Sequence, residues 1–581
     1  MLFLLSCQPS APTNFDHNVS TPTLEVSNTR VEYYSNTEWS IQPWNMDKDP
    51  TMPILHTQAT INVDDSWPIE GASIVLSGVW WKGYLLINEH RSEYFYGGNQ
   101  QVEISIGQYL HHGANTIQLH IEAPTGISRK VTGGTLSSLD REGKNATITL
   151  PPKFIFRPKD HLSNMDLLLD GDMVTPIAWA QTDSDATVHF YLSQDANILQ
   201  DLGTCNIQQG ISHCAAIPWK QEKWTIGKPA LYLVHAVLET PEGKALDHAT
   251  KRMGVREATW TTNGATINDI PQTLLASRMV HRTQQVSFTE RMQLFASVGI
   301  NTVEIHGELL RQDWLDLADE LGIATVIMPR CVGRTNGKMG GSENDLEAFA
   351  NLQDHRLLWD TMGHPSVTAF VVEGDNSNST QHRLWTSLLQ QNIHKLSILG
   401  VDVPAQLFQV QYNPQASSSC KPNSCTSAWL IETVMSPQFV DWDSVAQEYA
   451  KQQQAGSIGG VIPIPRSQRL NSIEAEIADW TKAWQEVRPL IQPTPLQTSD
   501  IRASSTLHIK TNPHAMVSIT IPSYQRFAQR ADGSGNAHFS LYYAGPVEIT
   551  CDKQTISVQL EADTWNNFTH IENNKSIDCR N

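Results

Sequence analysis

The chain has 581 residues, more than one hydrophobic core serves, and this length predicts three to five domains. A hydrophobic content of 40% with 17% charged residues excludes a disordered chain. A formal net charge of −19 excludes a nucleic-acid partner, because that affinity rests on Lys and Arg neutralising phosphates.

The N-terminus, MLFLLSCQPS, is apolar up to Cys7 and then turns polar. Leu4-Leu5-Ser6-Cys7 fits a bacterial lipobox, in which Cys7 is lipidated and becomes the new N-terminus. The apolar run is shorter than a usual signal core and has no basic residues before it. Residues 1–30 therefore read as a lipoprotein signal remnant followed by a flexible tether rich in Ser, Thr, Pro and Asn. The expectation is an exported envelope lipoprotein, periplasmic or at the cell surface, held to the membrane only through that anchor. No later stretch approaches the roughly 18 to 20 apolar residues of a membrane span.

Residues 31–160 alternate in the period-two manner of short strands: Val102, Ile104 and Ile106 share a face, as do Ile117, Leu119 and Ile121. Residues 161–257 read as a second β-sandwich. From 258 to 490 the pattern becomes strand–helix alternation, the sign of a parallel barrel. Thr289 is placed to cap a helix running to Val298, with Met292, Phe295 and Ala296 on one face. A second helix carries Trp314, Leu317, Ala318 and Leu321 and ends at Gly322. Strands are expected at Ala324–Met328, Val367–Val372, Ala428–Ile431 and Gly460–Ile464. About 230 residues is short for an eightfold barrel, so trimmed loops or an incomplete strand set are expected. The Pro-rich PLIQPTPLQTS links to a last β module at 500–579, where Val517, Ile519 and Ile521 alternate and ADGSG turns before two further strands.

Of the eight cysteines, Cys205 and Cys214, Cys420 and Cys425, and Cys551 and Cys579 lie close in sequence. Three local disulfides in an oxidising compartment are predicted, leaving Cys331 over. Neither CNIQQGISHC nor CKPNSC has zinc-ligand spacing. Phosphate-binding loops and a G-x-S-x-G elbow are absent as well, so no metal and no cofactor is expected. The 17 tryptophans fit either buried sandwich cores or platforms that stack on sugar rings. No motif specifies an oligomeric state.

Several stretches, in order, resemble glycoside hydrolase family 2, which includes β-galactosidases, β-mannosidases and β-glucuronidases. Gly78-Val79, Asn88 and Gly113-Ala114-Asn115 sit where that family's jelly roll has them. Trp224, Pro229, Leu231 and Tyr232 follow, with Gly243 and Asp247 marking a hairpin and Gly254, Arg256 and Glu257 closing the second sandwich. His364-Pro365-Ser366 and Gly459-Gly460-Val461 lie in the barrel. The resemblance implies a jelly-roll sandwich, an immunoglobulin-like sandwich, a (β/α)8 TIM-type barrel and a small C-terminal sandwich. It also implies a carbohydrate substrate.

A retaining glycosidase needs two carboxyl groups roughly 5 Å apart, one as nucleophile and one as acid/base. The resemblance places the acid/base at the end of strand four and the nucleophile at the end of strand seven. Counted without gaps from His364-Pro365-Ser366, Asp375 takes the acid/base position, and Glu373 takes it if the strand ends earlier. Glu432, after Trp429-Leu430-Ile431, is the nucleophile candidate. His281, His306, Asn376 and Trp429 are the substrate-binding candidates. The match departs from the family in places: Gly374 stands where an asparagine is usual, Glu304 where an arginine is, and Met328 where an acidic residue is. Such losses alter the charges that tune the two carboxyl groups. Two readings follow: a divergent β-glycosidase with an eroded site, or an inactive glycan-binding or structural lipoprotein on the same scaffold.

Overall fold

A computed structural model describes residues 29–35, 40–43, 53–77, 82–96, 101–122, 152–183, 185–261, 264–279, 288–306, 310–328, 356–361, 363–373, 397–401, 410–413, 427–430, 459–462, 494–497, 501–522, 525–551, 554–573 and 576–580. It is mostly β, with few helices.

The first sandwich packs two sheets face to face. One contains Val31–Tyr34, Lys153–Phe156, Ser73–Leu76 and Val102–Ser105, and the other contains Pro53–Val63, Gly113–Glu122 and Lys82–Ile87. Alternate side chains, among them Ile61, Ile74, Leu85, Ile117 and Phe154, fill the space between them. The motif asparagines have a structural task here. Asn88 and Glu89 turn the chain at φ 49° and 71°, a left-handed pair that Asn tolerates. The Asn88 amide donates to Asn115 Oδ1 at 2.8 Å and to the Tyr109 carbonyl at 3.0 Å, and its oxygen accepts the Thr116 N–H at 2.9 Å.

Val31–Tyr34 pairs antiparallel with Lys153–Phe156 and parallel with Gln525–Arg530. The sheet of the first sandwich therefore continues into the C-terminal module as one eight-stranded sheet. That module, expected as an appendage beyond a linker, is fused to the jelly roll edge to edge, and Ala528 sits in the jelly-roll core. It also has more strands after the Asp532–Gly535 turn than the two expected: Asn536–Leu541, Gly545–Cys551, Gln554–Leu560, Thr564–Asn566, Thr569–Ile571 and Ser576–Asp578. A Cys551–Cys579 disulfide joins its last segment to its core.

The second sandwich winds His161–Asp170, Met173–Gln181, Thr187–Gln194, Asn197–Gln208, Tyr232–Glu239 and Ala245–Met253 around its own core. The Cys205–Cys214 disulfide fastens one hairpin, with Cα atoms 4.9 Å apart. Gly243 turns at φ 83° as the motif requires. Asp247, expected to help mark that hairpin, lies instead within the strand, fully buried, ion-paired with Arg30 and accepting the Leu162 N–H at 2.8 Å.

A three-stranded antiparallel sheet (Ala258–Thr261, Gly264–Ile267, Ile270–Gln272) leads into a closed barrel of eight parallel strands. In order these are Leu274–Met279, Thr302–His306, Ala324–Met328, Val367–Glu373, Ser397–Val401, Val410–Asn413, Ser427–Leu430 and Gly459–Ile462. Of the two alternatives, trimmed loops or an incomplete strand set, the second does not hold: the last strand pairs with the first and the ring closes. Strands two to four are buried apolar runs, with Val303, Ile305, Ala324, Val326, Ala369 and Phe370 fully enclosed.

Between strands the structure describes the helices Phe288–Val298 and Gln312–Leu321 and a helical turn at 356–361. Thr289 lies inside the first helix rather than before it. Gly322 ends the second at φ 68°, its N–H reaching the Ala318 and Asp319 carbonyls. Trp67, Trp219, Trp224, Trp260, Trp314 and Trp565 are buried in cores or domain contacts, so the sugar-stacking alternative does not apply to them. Among the described residues no helix is long and apolar enough to cross a membrane.

Candidate active site

Strand four is pinned at its N-terminal foot by the residues around His364-Pro365-Ser366. His364 is buried, with Nδ1 2.7 Å from Asp319 Oδ2 and Nε2 2.8 Å from Gln312 Oε1. The other Asp319 oxygen accepts the Ser366 N–H at 2.9 Å. Gln312 is itself oriented by donating to the Asp360 carbonyl at 2.7 Å. All of these partners lie on the helix Gln312–Leu321 or just before the strand, so helix and strand foot are locked together.

From the other side, Arg256 donates to the Pro365 carbonyl at 3.0 Å and to the Val367 carbonyl. Burial pushes its guanidinium down to about 10, with Asp166 and Asp319 acting the other way. A side chain at Gly254 would meet the Ala230 carbonyl at 2.6 Å and Pro365 at 2.9 Å, so only glycine allows this approach. Two motifs read separately in the sequence are thus one contact between the second sandwich and the barrel. The Trp224 indole N–H, donating to the Asp319 carbonyl at 2.9 Å, joins the same node.

Beside this node, burial raises Asp360 to about 7, although Arg356 and Lys251 pull it down. Burial likewise lowers Lys251, whose ammonium lies 3.2 Å from Asn164 Oδ1. The foot of strand two is held by Asn301, which accepts the Leu275 N–H at 2.8 Å and donates to the Thr273 carbonyl at 2.8 Å. One acidic cluster has metal-like spacing: Asp316, Asp319 and His364 bring ligand atoms within 4.8 Å. Its donors already have protein partners, with Arg252 3.1 Å from Asp316, so the group reads as a brace rather than a metal centre.

Two of the sequence candidates, Glu373 and His306, end described barrel strands. Glu373 is the last residue of strand four, its Cα in register with Val401 of strand five. Strand seven ends at Leu430, with Trp429 in register with Tyr412 and Gly459, two residues short of Glu432. Strand four thus reaches one residue further than expected, and strand seven ends one residue earlier. His306 closes strand two opposite Met328 of strand three. Glu304, standing where the resemblance has an arginine, is buried, and in register beside it on strand one is Arg278. Glu432, Asp375, Asn376, His281, Cys7, Cys420 and Cys425 lie outside the described residues.

Sequence reasoning missed Asp319 and Gln312. The available signal was DWLDLADEL, where Asp319 and Glu320 fall among the apolar positions of an otherwise amphipathic helix. A carboxylate there needs a buried partner.

No family model matches the chain. A 150-residue stretch is 23% identical to an exo-β-D-glucosaminidase of Amycolatopsis orientalis, spanning 23% of this chain and 14% of that protein. Solved structures share the fold more widely. A β-glucuronidase from Ruminococcus gnavus, in complex with an N1-substituted uronic isofagomine, aligns over 82% of this chain and 92% of its own, at TM-score 0.53 and 11% identity. A β-glucuronidase from Bacteroides uniformis aligns over 92% of this chain and 76% of its own, at TM-score 0.54 and 12% identity. At these identities the likeness is one of fold, and it extends across the sandwiches and the barrel.

Proposed function

We propose that the chain is a divergent glycoside hydrolase that cleaves a β-linked glycan by a retaining, two-carboxylate mechanism on a (β/α)8 TIM-type barrel. The observation that carries this reading is the barrel order. In a closed ring of eight parallel strands, acidic residues sit at or just beyond the carboxyl ends of strands four and seven, where barrel enzymes carry their chemistry. In this reading Glu432 attacks the anomeric carbon, forming a glycosyl–enzyme ester as the glycosidic bond breaks. Asp375 or Glu373 protonates the leaving oxygen and then removes a proton from the incoming water. His281, His306, Asn376 and Trp429 line the sugar site.

The substituted positions support an altered site. Glu304 brings a carboxylate to strand two, and the nearest basic position in register is Arg278 on the adjacent strand. An acid/base Asp reaches about 1.3 Å less far than Glu, and displacement by about 1 Å can cost about a hundredfold in rate. Low turnover is therefore expected. That same erosion favours the second reading, an inactive glycan-binding envelope lipoprotein. The disulfides Cys205–Cys214 and Cys551–Cys579 suit an exported protein, and lipidation of Cys7 would anchor it.

A panel of chromogenic β-glycosides, led by β-glucuronides and β-glucosaminides, tests the reading on wild type and Glu432→Gln. Hydrolysis by wild type that the variant lacks supports it. Full turnover by the variant removes Glu432 as nucleophile. Glycan binding without hydrolysis in either protein leaves the binder.

A further inference from the structure

The C-terminal module carries a histidine pair that the barrel chemistry does not use. His508 and His538 stand directly opposite each other on the antiparallel strands Ser505–Lys510 and Asn536–Leu541. Their sequence neighbours Leu507, Ile509, Ala537 and Phe539 point into the core, so period-two alternation places both imidazoles on the outer face. The rings meet edge to face with centroids 4.7 Å apart and Nδ1 atoms 2.7 Å apart. On the far side of the first ring, His508 Nε2 lies 3.3 Å from Glu572 Oε2. Glu572 follows the strand Thr569–Ile571, so three separate segments converge here.

The tautomers follow from this geometry. A His508 that donates its Nε2–H to Glu572 keeps a lone pair on Nδ1, directed at His538 Nδ1. Two imidazole nitrogens 2.7 Å apart, one on a ring backed by a carboxylate on its remote N–H, are two adjacent donors of the kind a late divalent metal ion takes. Hard ions such as calcium and magnesium take oxygen donors and do not suit it.

We propose that His508 Nδ1 and His538 Nδ1 bind one borderline-soft divalent ion of the zinc, nickel or copper type. Glu572 orients His508 from behind, and solvent completes the coordination. Zinc–nitrogen bonds of about 2.0–2.1 Å in tetrahedral geometry set the two nitrogens roughly 3.3 Å apart. The rings must then separate by about 0.6 Å, which two half-exposed side chains on a sheet surface accommodate. The ion takes the place of the proton now shared between them, and His538 carries its proton on Nε2 instead. Such an ion would staple the two paired strands of the module to each other.

The test uses the full chain, stripped with a chelator and titrated with zinc chloride and nickel chloride by calorimetry. One equivalent should bind in the micromolar range. His508→Ala and His538→Ala should each abolish that binding, with metal-free Tm and far-UV circular dichroism unchanged. Glu572→Ala should keep the stoichiometry and weaken binding roughly tenfold or more. Copper(II) added at one equivalent should show hyperfine splitting from two nitrogens in electron paramagnetic resonance. Asp316→Asn, in the other cluster of metal-like spacing, should bind as wild type does. No binding by wild type, full binding by either histidine variant, or loss on Asp316→Asn would each overturn the proposal.

Discussion

Asp319→Asn is the sharpest test of how the foot of strand four is held. Both carboxylate oxygens accept from buried donors, His364 Nδ1 at 2.7 Å and the Ser366 N–H at 2.9 Å, and the side chain is 2% exposed. The isosteric amide keeps one acceptor and turns an NH2 toward the other donor. That leaves one buried donor unpaired and removes the negative charge from both contacts, a loss of about 3–5 kcal/mol. With a urea m-value of roughly 2–3 kcal/mol per molar for a domain of this size, the midpoint should fall by about 1–2 M. Far-UV circular dichroism and tryptophan fluorescence report it, since the Trp224 indole donates to the Asp319 carbonyl. Because His364 shares the network, the Asp319→Asn/His364→Gln pair should fall short of the additive loss by about 1–3 kcal/mol. Exposed Asp313, changed to Asn on the same helix, should cost under about 0.5 kcal/mol. A shift under about 0.3 M for Asp319→Asn, or full additivity in the pair, would refute the brace.

The remaining expectations bear on charge, cross-links and the site. Asp247 is fully buried; burial pushes it upward, but Arg30 and the Leu162 N–H outweigh that and hold it below the usual carboxylate range. A folded pKa below the unfolded one stabilises above about pH 4 and is lost as acid protonates the group, so Asp247→Asn should cost about 3–5 kcal/mol at pH 7 and progressively less below pH 4 in urea titrations. Asp360, raised to about 7, has the opposite sign: its contribution is present at pH 4 and lost as pH rises through 7, so Asp360→Asn should raise the Tm at pH 8 and leave it little changed at pH 4. Cys205→Ala/Cys214→Ala removes a cross-link nine residues apart in sequence and should cost about 3 kcal/mol by loop entropy, measured under non-reducing conditions. Glu432→Gln should abolish glycoside hydrolysis and leave the thermal midpoint within about 2 °C of wild type.

The features legible in the sequence were those set by local periodicity and punctuation. Helix Gln312–Leu321 with its stop at Gly322, and the strand at Ala324–Met328, came from spacing that neighbours in the chain impose on each other. The pairing of Val31–Tyr34 with Gln525–Arg530 was not legible, because it joins residues nearly 500 positions apart, and no local signal specifies a partner for an edge strand. Barrel closure was illegible for a related reason: strands of four to seven residues carry too little pattern to be counted one by one, and the ring is fixed only when the last strand meets the first.

The motif His364-Pro365-Ser366 was legible as a marker, but its work was not. In the sequence it points forward, to the carboxylates at the end of strand four. In the fold it acts at the other end of that strand, where Asp319, Gln312 and Arg256 hold its foot. This division explains how a site can diverge while its scaffold stays the same. Residues at the foot are buried and mutually bonded, so altering one leaves another unpaired at a cost of several kcal/mol. A residue without such buried partners can change at little cost to folding. Glu304, where the resemblance has an arginine, is buried in the middle of strand two, and the strand ring around it still closes. In the proposed reading, the acidic residues that follow strands four and seven in the sequence decide between a weakened glycosidase and a binder.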